Sequence, residues 1–297
     1  MSQRHPIIAV TGSSGAGTTT VKDTLDTIFQ RVGAQSAFVA GDSFHRYDRA
    51  EMKKERKKAQ KEGRRLSHFG PEGNLFGKQL ELFKSYGEKG TGNFRHYIHD
   101  EVEASVYDGK PGTFTPWEAI PHGSDLLFYE GLHGGVVTDK YDLASEVDLL
   151  IGVAPTINLE WIQKINRDTS ERGYKHGDVC DAIYRRMYDY MNYILPQFSN
   201  THINFQRVPI VDTSNPFMNR QIPTADQSLV VIHFLKFQPS VEYKLHLKGL
   251  IEGAKITTYN TLVIPGGKMM YAMELILTKL IIDLLEKRSQ IHDVAIN

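Results

Sequence analysis

The chain has 297 residues, with 35 Lys plus Arg balanced by 35 Asp plus Glu, so no bulk charge draws it to nucleic acid or to an anionic membrane. At 40% hydrophobic and 24% charged, it has the composition and length of a globular protein with a full core, expected as one domain over 1–297. One cysteine, Cys180, excludes an internal disulfide and fits a reducing cytoplasm; the polar start from Met1 to Pro6 predicts no signal peptide, and no apolar run reaches membrane-spanning length.

Ile7 to Thr11 is an apolar and β-branched run that reads as a buried strand, and the residues after it cannot continue it. Gly12, Gly15 and Gly17 free the backbone for a phosphate cradle, and from Thr18 the run Val21, Leu25, Ile28 and Phe29 opens a helix whose N-terminal amides face the loop. The spacing is that of G-x-x-x-x-G-K-[ST]: Gly12 and Gly17 hold the glycine positions and Thr19 the Mg²⁺-binding hydroxyl. Thr18 stands where the lysine belongs. If Gly12, Ser13, Ser14, Gly15, Ala16, Gly17, Thr18, Thr19 and Thr20 hold the phosphates of ATP, a cation must come from elsewhere. The plain alternative is a Gly/Ser turn.

Ser36 to Ala40 is a second strand, ending in Gly-Asp42-Ser-Phe-His45-Arg46. Strand, helix, strand implies a parallel sheet with ligands at the carboxyl ends of its strands, which sets Asp42 near the phosphate loop. There it is a general base or a helix cap; His45, Arg46 and Arg49 close behind suit a phosphorylated substrate and favour the base. Lys53 to Arg65 carries eight basic residues against two acidic ones and reads as a solvated helix and turn, without the interleaved aromatics that stack bases. A helical pattern over 74–86 follows. The Gly-, Thr- and His-rich stretch 87–116 then reads as loop or hairpin, with Arg95, His96, Tyr97, His99 and Asp100 as a candidate binding surface.

Asp125 to Glu130 is a third strand ending in an acid, the second half of a P-loop site, where Glu130 would hold Mg²⁺. His133 has no metal-ligand motif around it. After a strand at 147–153, Leu159 to Arg172 reads as an amphipathic helix with Lys164, Arg167, Asp168 and Arg172 on one face, closed by Gly173. That face is a solvated ion-pair surface or the replacement for the missing lysine. A helix over 179–195 carries Arg185 and Arg186, which could bind phosphate, sit at an interface or lie exposed. Strands at 207–212 and 229–234, a β-rich segment to Pro265 and a helix over 266–288 complete the chain; the portion 205–265 is expected to extend the sheet.

The stretches Gly12 to Thr20, Gly41 to Arg46, Phe128 to Gly134, Asn158 to Asp168 and Asn204 to Phe217 resemble bacterial phosphoribulokinases, and threonine in the lysine position is a trait of that branch. The resemblance implies an α/β, P-loop-kinase-like, mainly parallel mixed sheet flanked by helices on both faces, and transfer of the ATP γ-phosphoryl group to O1 of D-ribulose 5-phosphate. It implies Asp42 as base, Asp42, Glu130 and Thr19 at Mg²⁺, and Lys164 and Arg167 at the transferring phosphoryl. It also implies His45, Arg49 and Arg172 at the sugar phosphate, with Tyr97 and His99 as neighbouring candidates. Relatives of this branch are octamers activated by NADH and inhibited by AMP; Arg31, Arg185 and Arg186 are the effector or interface candidates, whereas His233 stands where an effector arginine is expected and Thr257-Thr258 lacks one. A lone Cys180 cannot form the switching cysteine pair of the plant branch. Rival readings are a uridine- or pantothenate-kinase-like enzyme and a nucleotide-switched binding protein, the latter without N-K-x-D and without need of a base at Asp42.

Overall fold

A computed structural model describes residues 4–12, 18–219 and 221–296, with the side chains of 18–20 and 290–296 outside the description. In chain order the elements are β1 (Ile7–Gly12), α1 (Thr18–Val32), β2 (Ser36–Ala40), α2 (Arg49–Lys61), α3 (Phe76–Lys89), β3 (Asn93–Phe94), α4 (Glu101–Tyr107), β4 (Glu118–Ala119), β5 (Leu126–Gly131), β6 (Leu149–Val153), α5 (Ile157–Ser170), α6 (His176–Asp189), β7 (Ile203–Pro209), β8 (Ser228–Phe234), α7 (Val241–Leu250), β9 (Lys255–Thr258), β10 (Thr261–Pro265) and α8 (Met269–Ile296).

The main sheet runs β2-β5-β1-β6-β7-β8-β10-β9. Its first five strands are mutually parallel, and β8, β10 and β9 continue it antiparallel. Successive side chains of a strand point to opposite faces, so the all-apolar β1 feeds two cores. Ile8 and Val10 pack with Val21, Leu25 and Ile28 of α1 and Met273, Ile276 and Leu277 of α8. Ile7 and Ala9 pack with Phe76, Leu82, Phe83 and Tyr86 of α3. Helices therefore cover both faces, which is the expected α/β mixed sheet.

Three elements differ from their sequence patterns. The helix expected over 179–195 ends at Asp189 and passes through a π turn, Tyr190–Ile194, into a 3-10 turn, Leu195–Ser199. Pro196 has no N–H to give and its ring crowds the preceding carbonyls, so a regular α-helix cannot run through it. The loop expected over 87–116 contains α4, capped by the Asp100 carboxylate accepting from the Glu103 amide at 3.0 Å. The β-rich segment contains α7, whose first turn is capped by Ser240 Oγ accepting from the Tyr243 amide at 3.1 Å.

Candidate active site

The carboxyl ends of β1, β2 and β5 are adjacent by register: Val10 pairs with Glu130, and Glu130 with Ala40. The turns leaving β2 and β5 touch. A Cβ on Gly41 would lie 2.9 Å from Gly131 Cα and 2.6 Å from the Tyr129 hydroxyl, so only glycine fits there. This contact brings Asp42, in the 3-10 turn Gly41–Phe44, beside the end of the strand that carries half-buried Glu130. At the end of β1 the buried Thr11 hydroxyl donates to Gln197 Oε1 at 2.9 Å, tying the start of the phosphate loop to the segment after α6. Ser13 to Gly17 lie outside the described residues, as do the side chains of Thr18, Thr19 and Thr20.

Asp42 faces imidazoles. His45 Nε2 lies 3.3 Å from Asp42 Oδ1, and His99 Nε2 lies 3.4 Å from Asp42 Oδ2. Burial, then the neighbouring His133 and His99, lowers the His45 pKa to about 3. At neutral pH His45 is therefore an uncharged neighbour of Asp42. The turn is pinned from outside by Arg95, whose Nε donates to Ser43 O at 3.0 Å and whose Nη2 donates to His45 O at 2.6 Å. The Arg95 guanidinium is sandwiched against Phe114 at 3.6 Å and Trp117 at 4.7 Å.

Arg49 at the start of α2 joins this wall: its Nη2 donates to His99 O at 2.9 Å, and its guanidinium hydrogen-bonds the Tyr97 hydroxyl. Gly112, at a φ of 87°, brings its backbone against the Arg49 side chain and accepts the Arg49 amide at 2.8 Å. The structure thus assembles His45, Arg49, Tyr97 and His99 around Asp42. Arg46 is turned to a different task, donating to Glu72 O and Asn74 O at 2.9 Å each and bracing the 67–74 loop. The basic run of α2 is mostly solvent-exposed, with Met52 and Ala59 as its buried residues.

The second half of the site is the inner end of α5. Lys164 Nζ donates to Asp168 Oδ2 at 2.5 Å, Arg167 Nη2 lies 3.2 Å from Asp168 Oδ1, and Arg172 Nη1 lies 3.3 Å from the same oxygen. Three cations converge on one buried carboxylate. Burial works against the Asp168 carboxylate, but the cations outweigh it and hold its pKa below the ordinary value; burial lowers the Lys164 pKa while the Asp168 hydrogen bond opposes that shift. Arg186, half-buried, belongs with this group: it lines one small cavity with Lys164, Glu160, Tyr190 and Phe69 and stacks over Phe69 at 5.3 Å. Arg185 is exposed, and Arg31 pairs with Glu274 of α8. Arg31 stands on α1, whereas Arg185 and Arg186 are neighbours on α6.

The segment from Ser67 to Asn74 joins the halves. Ser67 Oγ donates to Asp189 Oδ2 at 2.5 Å, Asn74 Nδ2 donates to His68 O at 2.9 Å, and His133 Nε2 meets Phe69 O at 2.9 Å. Its His68 lies against His45, ring centroids 4.1 Å apart and planes tilted by 37°. Sequence reasoning missed this loop, and a Ser-His-Phe-Gly stretch with no periodicity carries no signal of it. Among the described residues no three His, Cys, Asp or Glu are grouped to hold a metal ion.

A P-loop-type strand end, an acid on the neighbouring strand and a row of cations define a phosphotransferase fold and site. The model of the phosphoribulokinase / uridine kinase family matches residues 7–214, and the chain belongs to that family. It is 55% identical over 291 residues to the chromosomal phosphoribulokinase of Cupriavidus necator, covering 98% of this chain and 99% of that one. It is 53% identical over 291 residues to the phosphoribulokinase of Nitrobacter vulgaris, covering 98% and 100%. The solved phosphoribulokinase from Rhodobacter spheroides superposes with a TM-score of 0.88 at 47% identity, covering 97% of this chain and 100% of that one.

Proposed function

We propose that the chain is a phosphoribulokinase, transferring the γ-phosphoryl group of ATP to O1 of D-ribulose 5-phosphate to give ribulose 1,5-bisphosphate and ADP. The observation that carries this reading is the placement of Asp42, in a strand-end turn against the end of the strand that carries Glu130, among His45, Arg49, Tyr97 and His99. Asp42 accepts the O1 proton as the oxygen attacks phosphorus, and the neutral His45 orients it without neutralising it. Lys164 and Arg167, prearranged on Asp168, meet the charge that develops on the transferred group and supply the cation that Thr18 does not. Arg49 and Arg172 hold the sugar phosphate, with His45, Tyr97 and His99 along its chain.

The Asp42 and Glu130 carboxylates come from adjoining strand ends, a hard-oxygen set that suits Mg²⁺ together with the Thr19 hydroxyl and nucleotide phosphates. Mg²⁺ held there would neutralise phosphate charge. The same reading makes the enzyme a cytoplasmic homo-oligomer acting on a small sugar phosphate, with no membrane or nucleic-acid partner. Among the described residues no helix is long and apolar enough to cross a membrane.

The test is ADP release with D-ribulose 5-phosphate, uridine and pantothenate as acceptors. Turnover is expected with ribulose 5-phosphate alone, and Asp42→Asn lowers kcat by roughly 10²- to 10⁴-fold. Turnover with another acceptor, or an Asn variant of undiminished kcat, refutes the substrate or the base respectively.

A further inference from the structure

Gln197 is sealed from solvent behind the site, only 1% exposed. Its Oε1 accepts from the Thr11 hydroxyl at 2.9 Å and from the Gly135 amide at 3.0 Å, and its Nε2 donates to the carbonyls of Leu132 at 2.9 Å and Tyr193 at 2.7 Å. A carboxamide has two hydrogens and two lone pairs on its oxygen, so every one is engaged. Three of these partners stand at strand exits. Thr11 precedes Gly12 at the end of β1, and Leu132 and Gly135 follow the end of β5 that carries Glu130.

Earlier on the same segment, Tyr190 donates its hydroxyl to Glu160 Oε2 at 2.8 Å. Glu160 is buried on α5 one turn before Lys164, and the two line one small cavity with Tyr190. The π turn Tyr190–Ile194 and the 3-10 turn Leu195–Ser199 are thus fastened at one end to the cation helix and at the other to the exit of β1. Strand pairing fixes β1 against β6, but α5 follows β6 only after the connection Ala154 to Thr156, so the seat of Lys164 over the strand ends is set by what α5 is tied to.

We propose that Gln197 is a positioning residue for phosphoryl transfer. Through the 190–197 segment it holds the exit of β1, where the phosphate loop begins, at the distance from α5 that puts Lys164 on the transferring group. This rests on the phosphoribulokinase reading and adds to it a residue outside those placed at the substrates. A buried network with every member satisfied has one favoured arrangement, because a shift leaves a buried group unpaired. Misplacing reacting groups by about 1 Å costs on the order of 10²-fold in rate. A nucleotide held by its own loop and helix N-terminus moves with them and is bound as before. The signature of a broken strut is therefore a loss in kcat at nearly constant KM.

The experiment measures kcat, the KM for ATP and for ribulose 5-phosphate, and urea unfolding for the wild type, Gln197→Leu, Tyr190→Phe and the double variant. Each single variant is expected to lower kcat, Gln197→Leu by roughly tenfold or more, with both KM values within about twofold of wild type. Because the two ends belong to one link, the double variant is slower than the slower single variant by no more than about twofold, while the losses in urea midpoint add. Wild-type kcat in both folded single variants, with only the urea midpoint lowered, makes the network purely structural and overturns the inference. So does a raised KM for ATP at unchanged kcat, and so do losses in kcat that multiply in the double variant. Should Gln197→Leu fail to fold, Thr11→Val removes the same hydrogen bond from its other side and takes its place in every comparison. A wild type inert toward ribulose 5-phosphate removes the phosphoribulokinase reading itself, and the positioning role with it.

Discussion

The two halves of the site solve opposite problems with opposite materials. Around Asp42 the structure uses mostly uncharged contacts: two glycine turns in close touch, the neutral imidazoles of His45 and His68 side by side, and a pinning arginine whose guanidinium is spent on carbonyls and aromatic faces. Around Asp168 it uses charge almost exclusively, one buried carboxylate gathering Lys164, Arg167 and Arg172, with Arg186 close by. On the proposed roles the contrast follows from the chemistry: a proton acceptor needs a surrounding that leaves its carboxylate available, whereas a phosphoryl clamp needs positive charge held in place before the reaction begins. The neutral half and the charged half meet at the 67–74 loop.

The charged half is the place to look for the largest effect. On the proposed assignment Lys164→Met lowers kcat by about 10²- to 10³-fold with a smaller change in the KM for ribulose 5-phosphate; a variant changed only in KM makes Lys164 a ground-state ligand instead. Asp168→Asn touches no substrate in this arrangement, yet it leaves Lys164 buried without its counter-charge. It is expected to cost about 3 kcal/mol of folding stability, read from urea unfolding, and an unchanged midpoint would mean that the cations do not depend on it. In the neutral half, Gly41→Ala drives a methyl into the Gly131 backbone and the Tyr129 hydroxyl and should destabilise by about 1–3 kcal/mol, with kcat lowered because Asp42 moves.

Acid distinguishes the halves by the smallest contribution per group. Burial holds His45, His68 and His133 at pKa values of about 3, 2 and 4. The unfolded chain takes up protons near the ordinary histidine pKa that the folded chain refuses, so their stabilisation is present at neutral pH and declines as pH falls below it. Asp148, raised by burial to about 6, works the other way, adding stability at low pH that is lost as pH rises through its folded pKa. Three histidines outweigh one aspartate, and the urea midpoint should fall between pH 7.5 and pH 5.5. A flat profile would contradict the neutral imidazoles.

The legible and illegible parts of the chain differ for physical reasons. The second strand was readable to the residue, Ser36–Ala40, because a short, mainly apolar run is closed by Gly41, although as the edge strand it buries only alternate residues. The spacing of Lys164, Arg167, Asp168 and Arg172 foretold that they share a face, since a helix repeats every 3.6 residues; their convergence on the one acid is a tertiary fact. Val241, Tyr243, Leu245 and Leu247 alternate as a strand would and form α7 instead, with only the Ser240 cap to betray it. The 67–74 loop was beyond reach for a deeper reason. It crosses between the two halves, and no local pattern records which distant side chains a loop will meet.

The packing of α8 on α1 has a consequence for how the protein is made. Arg31 pairs with Glu274, and Thr24 touches Met270, across 243 and 246 residues of sequence. Until α8 has left the ribosome, the apolar face of α1 formed by Val21, Leu25, Ile28 and Phe29 has the sheet to pack on but lacks the helix that shares its core. Contacts this distant are slow to close and leave nascent chains exposed to aggregation. Helix α1 is thus among the first segments synthesised and among the last to have its apolar face fully covered.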